Sequence, residues 1–182
     1  MPGHDHIGLK KGSFPQYIVW LLLLGFTSCG YHFPGKGGSL PVDVRSVAIP
    51  TFANSTQETG IESLVTQAMV EKFVSTRTLL ITGQNSADSL LTGSVRSFVT
   101  SPITVTSGTQ TTTEYHATLT VEIIFKRQDD GRILAKEELS EWRNYPVVAN
   151  NPADTERNKR EAIRQIAALL AEKVYELVLE NF

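Results

Sequence analysis

Cysteine occurs once in this chain, at Cys29, and this limits how the fold can be held together. A solitary cysteine cannot form an internal disulfide, so side-chain packing alone must stabilise any domain that the chain forms. The cysteine directly follows a short apolar run, and this position is typical of a processing site. We therefore expect Cys29 to divide the chain into a leader and a mature protein.

Residues 1–28 have the layout of a bacterial secretory signal. Two lysines form a basic start, residues 17–26 form an apolar core, and two small polar residues stand directly before Cys29. The layout resembles a lipoprotein signal, in which the cysteine is lipidated and becomes the first mature residue. The sequence thus predicts a signal peptide over residues 1–28 and a covalent lipid on Cys29.

Two other interpretations of the apolar run remain open. A transmembrane helix needs about 20 apolar residues, roughly twice the length of this run, and a buried core helix would leave its basic start unexplained. Phe26 departs from the lipoprotein pattern, which usually has Leu three residues before the cysteine. Gly30 stands where an Asp would retain an enterobacterial lipoprotein at the inner membrane. By that resemblance, we expect attachment at the periplasmic face of the outer membrane.

The chain after the cysteine is long enough for one domain. Residues 29–41 are dense in Gly and Pro and predict a flexible tether, followed by a single domain over residues 42–182. The whole chain has 182 residues and a formal net charge of −2. That balance argues against nucleic-acid binding, which requires a strongly basic surface.

The first half of the domain combines a strand with an amphipathic helix. Residues 44–50 are rich in β-branched and apolar side chains and end at a proline, which predicts a strand. Apolar residues from Ile61 to Phe73 then recur at helical spacing, which predicts about four helical turns. Ser55–Glu58 and Thr59–Glu62 both have the form of a capping box for this helix.

The second half of the domain has the period of β-strands. Strands are predicted at residues 78–82, 89–99, 111–126 and 132–142, with a loop around Pro102 and a hairpin turn at residues 129–131. In the 111–126 strand the two faces separate clearly, apart from Ile124. One face carries Tyr115, Ala117, Leu119, Val121, Ile123 and Phe125, and the other carries His116, Thr118, Thr120, Glu122 and Lys126. The sheet should therefore pack against helices on one side only.

A second helix closes the chain. After a loop at residues 144–151, Asn151-Pro152 offers a cap followed by proline in the first turn, and apolar residues continue at helical spacing almost to Phe182. The predicted order is β-α-β-β-β-β-α. The fold class is α+β, with two helices packed on one face of a four- to five-stranded, mainly antiparallel sheet.

The sequence offers no recognisable reaction centre, and we predict neither an enzyme nor a metal site. His32 in the tether and His116 on a polar strand face lack a second nearby ligand, so we expect both to be solvated. Asp129 and Asp130 could be imagined as calcium ligands, but with the following glycine they favour a turn. No cofactor is expected beyond the lipid on Cys29.

Basic side chains lie in or beside the predicted strands. Lys126 shares the polar face with Glu122 and Thr120, and a face that carries Lys and Arg could receive phosphate groups. A solvated face of mixed charge is the simpler interpretation for any one of these residues. The sheet edges offer a second route to binding, by pairing with another chain.

Several short motifs, in their order along the chain, resemble the LptE family, the outer-membrane lipoproteins of the lipopolysaccharide (LPS) transport machinery. They are Cys29-Gly30-Tyr31-His32-Phe33, Leu91-Thr92-Gly93-Ser94-Val95, Glu114-Tyr115, Asp130-Gly131-Arg132 and the last helix. The resemblance implies a two-helix domain that sits as a plug in the LptD barrel, supports barrel assembly and helps to deliver LPS to the outer leaflet. The implied partners are an LptD-like barrel, LPS, and the membrane through the lipid anchor.

The resemblance also implies candidate LPS-binding residues. In some relatives, basic residues near strand ends contact LPS phosphates, and Lys136 looks similar to such a position. Arg96 and Arg132 are weaker candidates, and Lys126 joins them by its place on the polar face. By comparison with some members, we expect this protein to lack their long polar C-terminal extension and to have fewer sheet cations. Two alternatives stay open: an envelope lipoprotein that binds glycan or another periplasmic ligand through its polar sheet face, and a periplasmic enzyme.

Overall fold

A computed structural model describes residues 44–106 and 111–180 of the chain. The predicted signal peptide, Cys29 and the predicted tether over residues 29–41 lie outside the described residues, so they stay predictions. The predicted start of the domain at residue 42 also precedes the first described residue.

The described residues form an α+β fold, which confirms the predicted class. In chain order the elements are β1 (Ser46–Ala48), β2 (Ala53–Asn54), α1 (Ile61–Thr76), β3 (Leu80–Ile81), β4 (Ser89–Thr106), β5 (Thr111–Arg127), β6 (Ile133–Pro146) and α2 (Pro152–Glu180). The sheet has six strands in this part of the chain, more than the four or five expected. The additional strand, β2, has only two residues and is too short to show a period.

The sheet is antiparallel where its strands are long and parallel where they are short. Its order is β3-β1-β4-β5-β6, and β2 pairs with β4 beyond the end of β1. β4, β5 and β6 form an antiparallel ladder, whereas β1 pairs in parallel with both β3 and β4. Helix α1 lies in the connection from β1 to β3, because parallel neighbours need a crossover.

The β5–β6 hairpin forms at the predicted turn. Gly131 has a φ of 69°, a conformation that glycine adopts without steric cost. The Arg127 N–H donates to the Arg132 carbonyl at 2.9 Å and closes the turn. The hairpin confirms the role expected for the Asp129-Asp130-Gly131 run.

Strand β4 extends further than the sequence predicted. The expected loop around Pro102 is wrong up to Thr106, because β4 continues through the proline. The register with β5 is irregular between Pro102 and Thr104, where a residue without an N–H can be accommodated. Strand β6 likewise continues to Pro146, into the segment expected to be a loop.

Both helices pack on the same face of the sheet, as predicted. One continuous cluster of buried side chains joins Val65, Met69 and Phe73 of α1 to apolar residues of α2 and of the inner sheet face. The contributions of α2 are Ala162, Ile163, Ile166, Ala167, Leu170, Ala171, Val174 and Val178. The ring of Tyr175 packs edge-on against Phe73 with centroids 5.4 Å apart. The helices therefore form one layer over the sheet.

The two helix starts differ from each other. Asn151 caps α2 as predicted, because its Oδ1 accepts from the Asp154 N–H at 3.1 Å. The two capping boxes expected for α1 are wrong: Gly60, with a φ of 84°, occupies the N-cap position. Glu62 instead accepts a hydrogen bond from Asn54 Nδ2 at 2.8 Å, which ties the helix start to β2.

Candidate open-face site

The face of the β4–β6 ladder that turns away from the helices is the open face. In β5 it carries the alternate residues His116, Thr118, Thr120, Glu122, Ile124 and Lys126, all half-buried. Their partners on the same face are Thr92 and Ser94 of β4 and Lys136, Glu138, Ser140, Trp142 and Asn144 of β6. The open face contains most of the predicted site residues, so we describe it from its charged end.

Glu122 brings two predicted LPS-binding residues together. Its carboxylate accepts from the Arg96 guanidinium at 2.7 Å and lies 3.9 Å from Lys136 Nζ. Arg96 is the extra residue of a β-bulge between Val95 and Ser97, which places it beside Glu122. The Arg96 and Lys136 side chains remain 46% and 57% exposed, so both cations can still reach a ligand.

The two cations determine the charge state of Glu122. The hydrogen bond from Arg96 and the positive charges of Arg96 and Lys136 lower the pKa of Glu122 from its ordinary value of 4.5. The carboxylate is therefore ionised at neutral pH, and the trio of Arg96, Lys136 and Glu122 carries one net positive charge, while Glu138, opposite Glu122 on β6, adds a further carboxyl group to the same face. The trio can attract an anion such as a phosphate group, for which Arg supplies a planar fork and Lys a compact charge.

The structure separates the other two predicted cations from this trio. Lys126 lies on the open face opposite Leu90, and within the described residues it makes no ion pair with Glu122. Arg132 lies in the hairpin turn, where its N–H donates to Asp130 Oδ1 at 2.9 Å. Arg132 is thus at the end of the sheet, while Arg96 and Lys136 share one carboxylate.

The other half of the open face carries an aromatic pair that the sequence did not predict. Trp142 is 50% exposed, and its ring packs against His116 with centroids 4.8 Å apart. His116 is half-buried, and it makes a further contact that the sequence did not predict: its Nδ1 lies 2.9 Å from Asn144 Oδ1 and donates to it. Pairing β5 with β6 outward from the Gly131 turn would place His116 opposite Arg143. The irregularity at Phe125 shifts the register by one residue, so that His116 lies opposite Asn144.

A cavity of about 500 Å³ lies at the hairpin end of the sheet. Its charged groups already have structural partners. Asp88 accepts from the Arg45 and Ser46 N–H groups and from Ser46 Oγ at 2.7 to 3.0 Å, and these bonds lower its pKa. Arg127 pairs with Asp129 at 2.5 Å. We therefore interpret this cavity as part of the structural contact between β1 and the β5–β6 hairpin.

Two further features of the described residues bear on function. Over residues 44–106 and 111–180, His, Cys, Asp and Glu form no group of three or more that could hold a metal ion. In the same part of the chain, no helix has the length and apolar content that membrane spanning requires.

The comparisons with known proteins agree with this architecture. A model of the LptE family, described as lipopolysaccharide-assembly, matches residues 44–177. A putative lipoprotein from Caulobacter crescentus CB15 superposes with a TM-score of 0.51 at 15% identity, over 70% of this chain and 88% of that one. Rare lipoprotein B from Shewanella oneidensis gives a TM-score of 0.50 at 14% identity, over 69% and 90% of the two chains.

These findings differ in what they establish. At such low identity the two solved structures show a shared fold alone, and no curated protein matches the sequence. The family match covers well over half of the chain, including α1, all six strands of the described domain and α2 as far as residue 177. The chain therefore belongs to the LptE family of lipopolysaccharide-assembly proteins.

Proposed function

We propose that this protein is a lipid-anchored, non-enzymatic subunit of an outer-membrane LPS translocon. In this role it plugs an LptD-like β-barrel, supports assembly of that barrel and helps to deliver LPS to the outer leaflet. The observation that carries the proposal is the match to the LptE family over residues 44–177. The lipoprotein-like leader and the resemblance motifs of the sequence support the same role.

The plug role is tested by isolating the protein from outer membranes. We expect the full chain, expressed with its own leader, to co-purify with a large β-barrel, and its depletion to reduce surface LPS. Recovery of the protein only as a free species, together with normal surface LPS after depletion, would contradict the role. Mass spectrometry of the mature N-terminus tests the anchor separately, since an unlipidated product would remove Cys29 from the proposal.

We assign LPS phosphate binding primarily to Lys136 and Arg96. Both cations lie on one exposed surface, and Glu122 holds them near each other without neutralising them fully. Lys136 is the more exposed of the two and lies further from the carboxylate, so it can exchange this weak contact for a phosphate at lower cost. Lys126 on β5 and Arg132 in the β5–β6 turn remain secondary candidates.

The variant Lys136→Glu tests this assignment. We expect it to weaken LPS binding roughly tenfold, because it replaces a phosphate contact with a repelling charge. Its free energy of unfolding should change by no more than about 0.5 kcal/mol, since the side chain lies on the surface. Arg160→Glu on α2 is the matched control, because it changes the net charge equally at a side chain that is 66% exposed. Equal LPS affinity of the two variants would remove Lys136 from the site.

A further inference from the structure

Three consecutive rows of side chains cross the open face without a carboxylate, a lysine or an arginine. The rows are Ser97–Thr120–Ser140, Val99–Thr118–Trp142 and Ser101–His116–Asn144. They follow directly along the strands from the charged trio at Glu122. The open face thus has a charged half and a neutral half that is rich in hydroxyl and amide groups.

The neutral half presents a fixed aromatic surface to solvent. The indole of Trp142 is 50% exposed, and the hydrogen bond between His116 and Asn144 fixes the ring on which it packs. Within residues 44–106 and 111–180, the indole N–H has no hydrogen-bond partner and is available to a ligand. Val99, 58% exposed, continues the apolar surface two strands away in the same row.

We propose that this neutral half, the aromatic platform of Val99, Thr118, His116, Trp142 and Asn144, binds the ring of a neutral pyranose sugar. The C–H faces of a pyranose are weakly positive and stack on the electron-rich face of an indole. Its hydroxyl groups match the surrounding hydroxyl and amide side chains, which can both donate and accept. A purely apolar ligand would leave the hydroxyl and amide side chains without partners. An anionic ligand would meet no lysine or arginine in these rows.

The charged half of the open face indicates to which glycan the bound sugar belongs. Lys136 and Trp142 lie six residues apart on β6, or about 20 Å along the strand. A phosphorylated head group at the trio would therefore place sugars joined to it over the platform. This inference rests on the proposed role in LPS delivery, and it assigns the platform to the core oligosaccharide of LPS.

Binding is measured on the mature protein, expressed with its own leader, because cleavage before Cys29 removes Trp20 and leaves Trp142 as the remaining tryptophan. Soluble core oligosaccharide, free of lipid A, should change the Trp142 emission saturably. By calorimetry, the variant Trp142→Ala should weaken oligosaccharide affinity about tenfold. The variant Trp142→Phe should retain part of the affinity. Leu80→Ala, at a side chain that is 67% exposed on β3, is the control and should bind normally. Circular dichroism verifies that each variant is folded.

Two ligand comparisons identify the source of the sugar. LPS with a complete core should bind more tightly than LPS without core sugars, and Trp142→Ala should abolish this difference. Soluble peptidoglycan glycan is the alternative ligand, and tighter Trp142-dependent binding of that glycan would overturn the assignment to LPS. Crosslinking from position 142 to the barrel protein instead of to LPS would overturn the sugar site itself.

These results separate the inference from the proposed function. If both forms of LPS bind equally well, Trp142→Ala has no effect and the barrel still co-purifies, the platform is refuted and the translocon role stands. If core oligosaccharide binds through Trp142 but no barrel co-purifies, the platform is upheld and the translocon role is refuted.

Discussion

The two faces of strand β5 differ in what surrounds them. On the inner face Ala117, Leu119, Val121, Ile123 and Phe125 are completely buried beneath the helices. On the open face the alternate residues are half-buried and polar or charged, with the exception of Ile124. A single strand with a two-residue period thus carries both the core that stabilises the domain and the surface proposed to bind ligand. Substitutions at adjacent positions should therefore separate stability from binding.

The largest contrast is expected between Phe125 and its neighbour Lys126. Phe125→Ala should lower the free energy of unfolding by about 3–5 kcal/mol, because it leaves a cavity among completely buried side chains. Lys126→Ala should change it by less than about 0.5 kcal/mol. Urea denaturation measures both values. Similar losses for the two variants would mean that the open face is also a structural surface.

Gly93 provides a smaller and more local test of the inner face. A Cβ at this position would lie 2.1 Å from Cε2 of Phe52, so an added methyl group forces the ring or the strand to move. We expect Gly93→Ala to cost about 1–3 kcal/mol of unfolding free energy by overpacking.

The control for this variant is Gly83→Ala, where the nearest atom would be Ser86 Oγ at 3.9 Å. It should have little effect in the same denaturation experiment. Adding Phe52→Leu to Gly93→Ala should recover part of the loss, because the two sites share one space. If the double variant instead lost the sum of the two separate effects, the close approach would not be the cause.

The smallest effect is expected at Glu122 on the open face, and it should depend on pH. Arg96 and Lys136 lower the pKa of Glu122 in the folded protein. The ionised carboxylate therefore contributes stability at pH values above its ordinary pKa of 4.5. This contribution is lost as the pH falls through the lower, folded-state pKa. Thermal midpoints of Glu122→Gln and the unsubstituted protein should therefore differ above this window and converge below it.

Glu138→Gln makes the same change at the residue opposite Glu122 on β6 and is the matched control. It leaves the contacts of Glu122 with Arg96 and Lys136 in place, so it should not reproduce the convergence. An acid dependence unchanged by Glu122→Gln would show that the trio is too solvated to affect folding. High salt should also reduce the difference, since the pairs are exposed.

Local signals predicted the local structure well. The turn at Gly131 and the cap at Asn151 depend on residues within a few positions of each other, and both were predicted from the sequence. The alternation of β5 likewise assigned its two faces correctly. The α1 start was wrong because Asn54, eight residues away on β2, binds Glu62 in place of the expected cap. Tertiary contact there overrides a locally plausible motif.

The candidate site was predictable only in part. Sequence and family resemblance selected Arg96 and Lys136. They did not predict that the Glu122 carboxylate contacts both side chains. Strict alternation from Leu91 and Val95 would direct Val99 into the core. The bulge at Arg96 reverses the alternation, so that Phe98 packs on the core and Val99 is exposed. The aromatic platform depends on this reversal and on the pairing of β5 with β6.

The sequence by itself determined the fold class, the faces of β5, the hairpin turn, the cap of α2 and the resemblance to LptE. These features follow from side-chain periodicity and from short-range hydrogen bonding, which neighbouring residues encode. Only the tertiary structure decided the bulge, the shared carboxylate and the stacking of Trp142 on His116. Cross-strand register depends on the summed packing of residues far apart in sequence, and a one-residue shift changes which side chains meet.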